Sequence, residues 1–156
     1  MIILGIDPGP KESAYVTWDG TTVLTHKTGM NDDILADLLY DLPGMQVTCI
    51  VAIEWIVGYG MTVGSETFDT CFWAGRFAQA AGGARLIPRR AIKLALCGNT
   101  TAKDQHIRQA LVDRIGAPGN KKQPGPTYGI SGHEWAALAV AVVAWDDKKE
   151  KRHEPA

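Results

Sequence analysis

The stretch Ile-Ile-Leu-Gly-Ile-Asp at residues 2–7 decides the fold, and Cys-Ile-Val-Ala-Ile-Glu at residues 49–54 repeats its pattern. In both, an uncharged and largely apolar run leads to an acid, and Gly or Pro follows within a few residues. Such runs, bounded by turn residues, are typical of fully buried β-strands. We therefore predict that Asp7 and Glu54 lie at strand tips, where enzymes with open α/β sheets have their active sites.

Turn and cap residues divide the rest of the chain into elements. Asp19-Gly20 is a typical two-residue hairpin loop between strands 13–18 and 21–28, and Asn31 caps a helix that ends at Pro43-Gly44. The other predicted elements are a strand at 48–53, a helix at 65–82, a strand at 84–87, and helices at 89–96, from Thr101 onward and at 132–147. This order resembles an RNase H-like α/β protein: a five-stranded mixed sheet, three antiparallel strands and then parallel additions, flanked by helices.

Composition favours one intracellular domain. The 156 residues fit a single domain, which we place at 1–147, followed by a charged tail at 148–156 that we expect to be disordered. The three cysteines are odd in number and lack metal-ligand spacing, which favours reduced thiols. No apolar run approaches the roughly 20 residues that span a bilayer, and no export segment precedes the first strand. We expect a soluble, cytoplasmic protein without membrane contact.

Charge is distributed unevenly along the chain. Residues 85–122, the basic segment, contain 9 Lys or Arg and 2 Asp or Glu, whereas residues 1–84 contain 3 and 10. A cluster of this kind is expected of a surface that binds a phosphate backbone. The alternative is a solvated helical face that balances an acidic one.

Four sequence features together resemble the RuvC family of Holliday-junction resolvases. They are Gly5-Ile6-Asp7-Pro8-Gly9, Ala52-Ile53-Glu54, the segment Gly98–Lys103, and an alanine-rich last helix that starts near His133. The resemblance covers most of the chain. It implies a metal-dependent, structure-selective endodeoxyribonuclease that binds branched DNA and resolves four-way junctions by paired symmetric nicks.

Two neighbouring carboxylates are suited to metal-assisted hydrolysis of a phosphodiester. In-line hydrolysis of a phosphodiester is assisted by two Mg²⁺ ions roughly 4 Å apart, and Mg²⁺ prefers oxygen ligands. Adjacent strands lie about 4.8 Å apart, so their tips would bring Asp7 and Glu54 close enough to share an ion. We expect two Mg²⁺ per site, with Mn²⁺ able to substitute. The alternative for each acid is a turn former or a helix cap.

The last helix departs from the family pattern. The resemblance implies two metal-binding positions one helical turn apart; His133 matches the first, but Ala136 occupies the second. Glu134 is the natural substitute, although Ser131 and Glu134 also fit a capping box. His133 would bind metal through a neutral nitrogen or act as a general acid or base, the alternative being a polar helix-start residue. The candidate catalytic and metal-binding residues are therefore Asp7, Glu54, His133 and Glu134.

Candidate DNA-binding residues follow from the same resemblance. Tyr59 and Met61, in the glycine-rich loop 56–64, stand where the family places a wedge that reaches the junction centre; the alternative is a pair of half-exposed loop side chains. The basic candidates are Lys103 and Arg108 for the scissile strand, Arg89, Arg90 and Lys93 as an extension of that track, and Lys121 and Lys122 in a proline-rich loop.

Paired nicks imply a homodimer, because two cuts need two active sites. Helix 65–82 is the expected interface, since Phe68, Phe72 and Trp73 exceed what packing on one side requires. Two other functions remain open. One is a nuclease for other branched DNA or for RNA, and the other is a junction-binding protein without catalysis, which the alanine at position 136 would favour.

Overall fold

A five-stranded mixed sheet forms the centre of the computed structural model, which describes residues 1–41 and 49–153. The strands are β1 (Ile2–Asp7), β2 (Glu12–Trp18), β3 (Val23–Met30), β4 (Cys49–Trp55) and β5 (Arg85–Pro88), in the order β3-β2-β1-β4-β5. β1 pairs antiparallel with β2 and parallel with β4, and β4 pairs parallel with β5. The predicted RNase H-like sheet is confirmed.

Helices cover both faces of this sheet. They are α1 (Asn31–Ala36), which continues into a π-helical turn (Asp37–Asp41), α2 (Ser65–Ala80), α3 (Arg89–Cys97), α4 (Asp104–Ile115) and α5 (Glu134–His153). The predicted end of the first helix at Pro43-Gly44 lies outside the described residues. None of the helices in the described ranges is long and apolar enough to cross a membrane.

The last helix differs from the prediction. α5 continues to His153, so the predicted end at residue 147 is wrong and residues 148–153 of the charged tail are helical. Charged side chains at the outer end of a helix remain solvated, so the polar composition of this segment does not exclude helix. That residues 1–147 form one domain stays a prediction.

Alternation of side chains along the strands decides which strand residues face α5. Ile3 packs with α5 on one face of β1, whereas Leu4 and Ile6 pack with α1 and α2 on the other. Successive side chains point to opposite faces of a sheet, so Asp7 shares the α5 face with Ile3. On β4, Ala52 faces α5 in the same way, which puts Glu54 on that face as well.

Gly5 lets α5 lie directly on β1. A Cβ atom at this position would come within 2.2 Å of the Ala137 carbonyl oxygen and 2.9 Å of the Ala141 Cβ. Ala137 and Ala141 are fully buried. Small residues on both elements therefore permit a backbone approach that brings the start of α5 over the tips of the central strands.

Candidate active site

A cavity of about 280 Å³ opens where β1 ends and α5 begins. Its lining residues come from β1, from the starts of α3 and α4, and from the turn into α5: Asp7, Arg89, Asp104, Ile107, Gly132, His133, Trp135 and Ala136. The tip of β4 lies beside it, because the register pairs Gly5 with Ala52 and Ile6 with Ile53. The two acids predicted to lie at strand tips are therefore neighbours.

Asp7 and His133 form a hydrogen-bonded pair at this cavity. Asp7 is buried, its Oδ2 lies 3.0 Å from His133 Nδ1, and the His133 side chain is 77% exposed. Burial and the negative charge of Glu54 raise the pKa of Asp7 to about 6, against the opposing effects of His133 and Arg89. Mutual repulsion of two buried carboxylates is the condition that a bound cation would relieve.

Arg89 lies between two carboxylates of the same site. Its Nη1 donates to both oxygens of the buried Glu54, at 2.8 and 3.0 Å, and its Nη2 contacts Asp104 at the start of α4. Burial disfavours the charged form of Arg89, but the carboxylates of Glu54, Asp104 and Asp7 together outweigh this effect and raise the pKa of the guanidinium. Arg89 was predicted from the sequence to bind DNA phosphates, but in the structure it lies inside the candidate active site.

Glu134 makes the capping contact that the sequence left as one of two alternatives. Its Oε2 accepts a hydrogen bond from the Ser131 backbone amide at 2.9 Å and lies 3.1 Å from Nδ1 of His26 on β3. Glu134 is buried and does not line the cavity. Its carboxylate therefore fixes the start of α5, and with it the position of His133.

His26 and Asp104 are two residues at this end of the molecule that sequence analysis missed. No local pattern links His26 to Glu134, because more than a hundred residues separate them. Asp104 could have been recognised as a candidate from the sequence, because it is one of only 2 acids in the basic segment.

The donor set fits a divalent cation. Among residues 1–41 and 49–153, no three His, Cys, Asp or Glu side chains are already arranged to hold a metal ion. Asp7 and His133 nevertheless offer an oxygen and a nitrogen at one cavity, and Glu54 adds a second carboxylate close enough to shift the pKa of Asp7. The two carboxylates are the kind of ligand that Mg²⁺ and Mn²⁺ prefer. Ala136 lines the cavity and supplies no ligand.

A second cavity, of about 290 Å³, lies on the other side of Arg89. Tyr59, Arg90 and Lys93 line it together with Trp55, and the Arg90 guanidinium lies 5.6 Å from the centre of the Tyr59 ring. Tyr59 and Met61 are exposed, and Tyr59 has left-handed backbone geometry (φ 47°). The aromatic and basic candidates of this part of the chain are thus brought together.

The remaining basic candidates are more scattered. Arg108 lies 4.9 Å over the ring of Trp135, a lining residue of the first cavity, and Lys103 is exposed beside Asp104. Lys121 and Lys122 are exposed on their loop and line neither cavity.

Two other arginines of the basic segment balance acids instead. Arg114 pairs with Asp146 of α5 at 2.6 Å, and Arg85 contacts Asp147. For these two arginines, the structure fits the alternative prediction, a solvated face whose charges are balanced by acids, better than a surface that binds a phosphate backbone.

The sheet order, the flanking helices and the carboxylates at the strand tips define an RNase H-like α/β protein. More particularly, the chain has the fold of RuvC. The structure of Thermus thermophilus RuvC matches it with a TM-score of 0.68 at 19% sequence identity, covering 96% of this chain and 97% of that one. T. thermophilus RuvC in complex with a Holliday junction substrate matches with a TM-score of 0.73 at 19% identity, covering 100% and 99%. No protein-family model and no curated protein matches the sequence.

Proposed function

We propose that this chain belongs to the RuvC family and is a metal-dependent endodeoxyribonuclease that resolves four-way DNA junctions by paired symmetric nicks. One observation carries the proposal: Asp7, Glu54 and His133 converge at one edge of the sheet, beside a cavity lined by basic and aromatic side chains. The likeness in fold to a resolvase solved with a junction substrate supports it. A DNA-cleaving enzyme of this kind would act in the cytoplasm, on the nucleoid or on phage DNA inside a host.

The residues of the first cavity, and Glu54 beside it at the edge of the second cavity, can be given chemical roles. Bound Mg²⁺ or Mn²⁺ would stabilise the negative charge that develops on the phosphate oxygens during hydrolysis. Asp7 and Glu54 would hold the cation, with His133 as a further ligand or as the base. In the tautomer that donates from Nδ1 to Asp7, the Nε2 atom of His133 is left to accept a proton from the attacking water.

The basic and aromatic side chains would hold the DNA. Arg90 and Lys93 at the second cavity, with Arg108 over Trp135 and Lys103 next to Asp104, would neutralise phosphates on either side of the scissile bond. Tyr59 and Met61 are exposed and would reach bases opened at the junction centre. Stacking of a base on the Tyr59 ring is worth about 1–3 kcal/mol, and Met61 would add apolar contact. Lys121 and Lys122 would contact an outer arm.

Substrate preference tests the proposal. We expect a labelled mobile four-way junction to be nicked in Mg²⁺ at symmetric positions on two opposing strands, and not in EDTA, because the metal site is needed for hydrolysis. A 5′ flap, an RNA–DNA hybrid and a linear duplex, assayed in parallel at equal concentration, should be cut at least tenfold more slowly.

Two other results of this assay would each favour one of the two rival functions. Faster cleavage of the flap or the hybrid would favour a nuclease for other branched DNA or for RNA. Tight junction binding without nicking in Mg²⁺ or Mn²⁺ would favour a binding protein, the function that Ala136 motivates.

A homodimer through α2 is part of the proposal. On this helix Phe68 is 66% exposed and Phe72 is 61% exposed, and Phe72 borders an apolar groove with Leu35 and Leu39. Trp73, the third predicted interface residue, is half-buried against the core. Exposed aromatic side chains beside a groove are typical of an interface between protein chains.

Phe72→Glu should convert the dimer to a monomer, because the charge would be buried in an apolar interface. Light scattering coupled to gel filtration at about 10 µM would measure the mass. Leu94→Glu is the matched control, since Leu94 is also exposed but lies on α3. A wild-type protein that is monomeric both alone and on junction DNA would contradict this interface.

A further inference from the structure

The guanidinium of Arg89 lies among the acidic groups of the candidate active site. We propose that Arg89 is a resident cation of this site, so that each protomer binds one divalent metal ion rather than two. The inference rests on the proposed nuclease function and makes it more specific: Arg89 stands in for the second ion expected from the sequence resemblance.

Strand pairing holds Arg89 in place. β5 pairs with β4 in a register that sets Ile87 beside Glu54 and Pro88 beside Trp55. Arg89 is the next residue, the first of α3, so its side chain begins at the tip of the strand beside Glu54. The contact of Nη1 with both oxygens of the buried Glu54 is the more buried part of this arrangement, whereas Asp104 is largely exposed.

Charge balance favours a single ion. Asp7, Glu54 and Asp104 carry three negative charges when ionised, and Arg89 reduces the sum to two, which one divalent cation neutralises. Two divalent ions would leave the same groups with two uncompensated positive charges. The alanine at position 136 removes the acid that would otherwise help to hold a second ion.

Arginine is suited to this position. Its guanidinium remains protonated at physiological pH and presents several N–H donors in a rigid plane. With donors directed at Glu54 and Asp104, it supplies fixed positive charge at the cavity edge without being lost to solution, as a metal ion can be. A positive group positioned before the reaction stabilises a phosphate transition state without reorganisation.

Counting bound Mn²⁺ tests the inference. Titration of the full-length protein, followed by the electron paramagnetic resonance signal of free Mn²⁺, should give one ion per protomer for wild type and for Arg89→Lys, which keeps the charge. Arg89→Gln should bind two, because it leaves Glu54 and Asp104 without their cation. Adding Asp104→Asn to Arg89→Gln should restore one.

Arg90→Gln is the matched control, since Arg90 is adjacent, equally charged and contacts Tyr59 instead of these acids; it should bind one ion. The nicking rate should depend on Mg²⁺ concentration with a Hill coefficient near one in wild type and near two in Arg89→Gln. Two Mn²⁺ in wild type, no ion in wild type, or one in Arg89→Gln would each overturn the inference.

Failure of the proposed function would look different. A wild-type protein that does not nick junctions removes the nuclease assignment, yet the Mn²⁺ counts still decide the role of Arg89. Conversely, a wild-type protein that nicks junctions and binds two ions keeps the function and removes this inference.

Discussion

Asp7→Asn should lower the rate of junction nicking in Mg²⁺ by at least about a thousandfold, while junction affinity stays within a few-fold of wild type. Removing one electrostatic contact from an active site costs about 10²–10³ in rate, and here the change also removes a carboxylate that we propose to bind the metal. Binding is spared because phosphate contacts made elsewhere dominate affinity for DNA. A single-turnover nicking assay and a gel-shift titration of the same junction would measure the two effects.

The stability of this variant shows whether it has lost activity by unfolding. The pKa of Asp7 is raised from 3.8 to about 6 by burial and by Glu54, so the folded state holds the proton more tightly than the unfolded state. Between about pH 4 and 6 wild-type stability therefore falls as pH rises, and above pH 6 the ionised carboxylate carries its full cost, on the order of 3 kcal/mol. Asparagine removes that cost.

In EDTA at pH 8, Asp7→Asn should therefore melt at a higher temperature than wild type, and the difference should vanish below about pH 4. Asp113→Asn is the matched control, because Asp113 is exposed on α4 and distant from the cavity; neither nicking nor stability should change. A nicking rate of Asp7→Asn within tenfold of the wild-type rate would contradict the nuclease assignment.

The parts of the site that sequence predicts are those that strand register determines. Asp7 and Glu54 each end a short buried run, and parallel pairing of those runs leaves the two acids one residue beyond the Ile6–Ile53 pair. Only the pairing of the two strands has to be assumed for this, and no contact between side chains has to be known. The start of α5 was predictable for a similar reason, because serine and glutamate three residues apart form a local capping pattern.

The contacts that sequence did not predict join residues with no shared periodicity. Arg89 is separated from Glu54 by 35 positions and from Asp104 by 15. A count of charge along the chain records the sign of Arg89 but not its partners, so a cation of the candidate active site was counted with the DNA-binding residues. His26 was missed in the same way, since its partner Glu134 lies at the other end of the chain.

Gly5→Ala should destabilise the fold by about 3 kcal/mol, near the upper end for an overpacked core. The added Cβ would lie 2.2 Å from the Ala137 carbonyl oxygen and 2.8 Å from the Ala141 amide nitrogen. Both are backbone atoms of α5 and cannot rotate away, so the helix must move as a unit. His133 precedes that helix, and its 3.0 Å contact with Asp7 would lengthen.

Urea unfolding would measure the loss of stability, and nicking at a temperature where the variant remains folded should also fall. Gly75→Ala is the informative control when both glycine changes are made in the Phe72→Glu variant, which we expect to be monomeric, because Gly75 borders the proposed dimer groove. A Cβ there meets nothing within 4 Å in the protomer, and alanine in a helix interior is worth about 0.5–1 kcal/mol over glycine. The same chemical change should thus destabilise at position 5 and stabilise at position 75. If Gly5→Ala were as stable and as active as wild type, α5 could not lie on β1 as closely as the structure has it, and the placement of His133 beside Asp7 would lose its support.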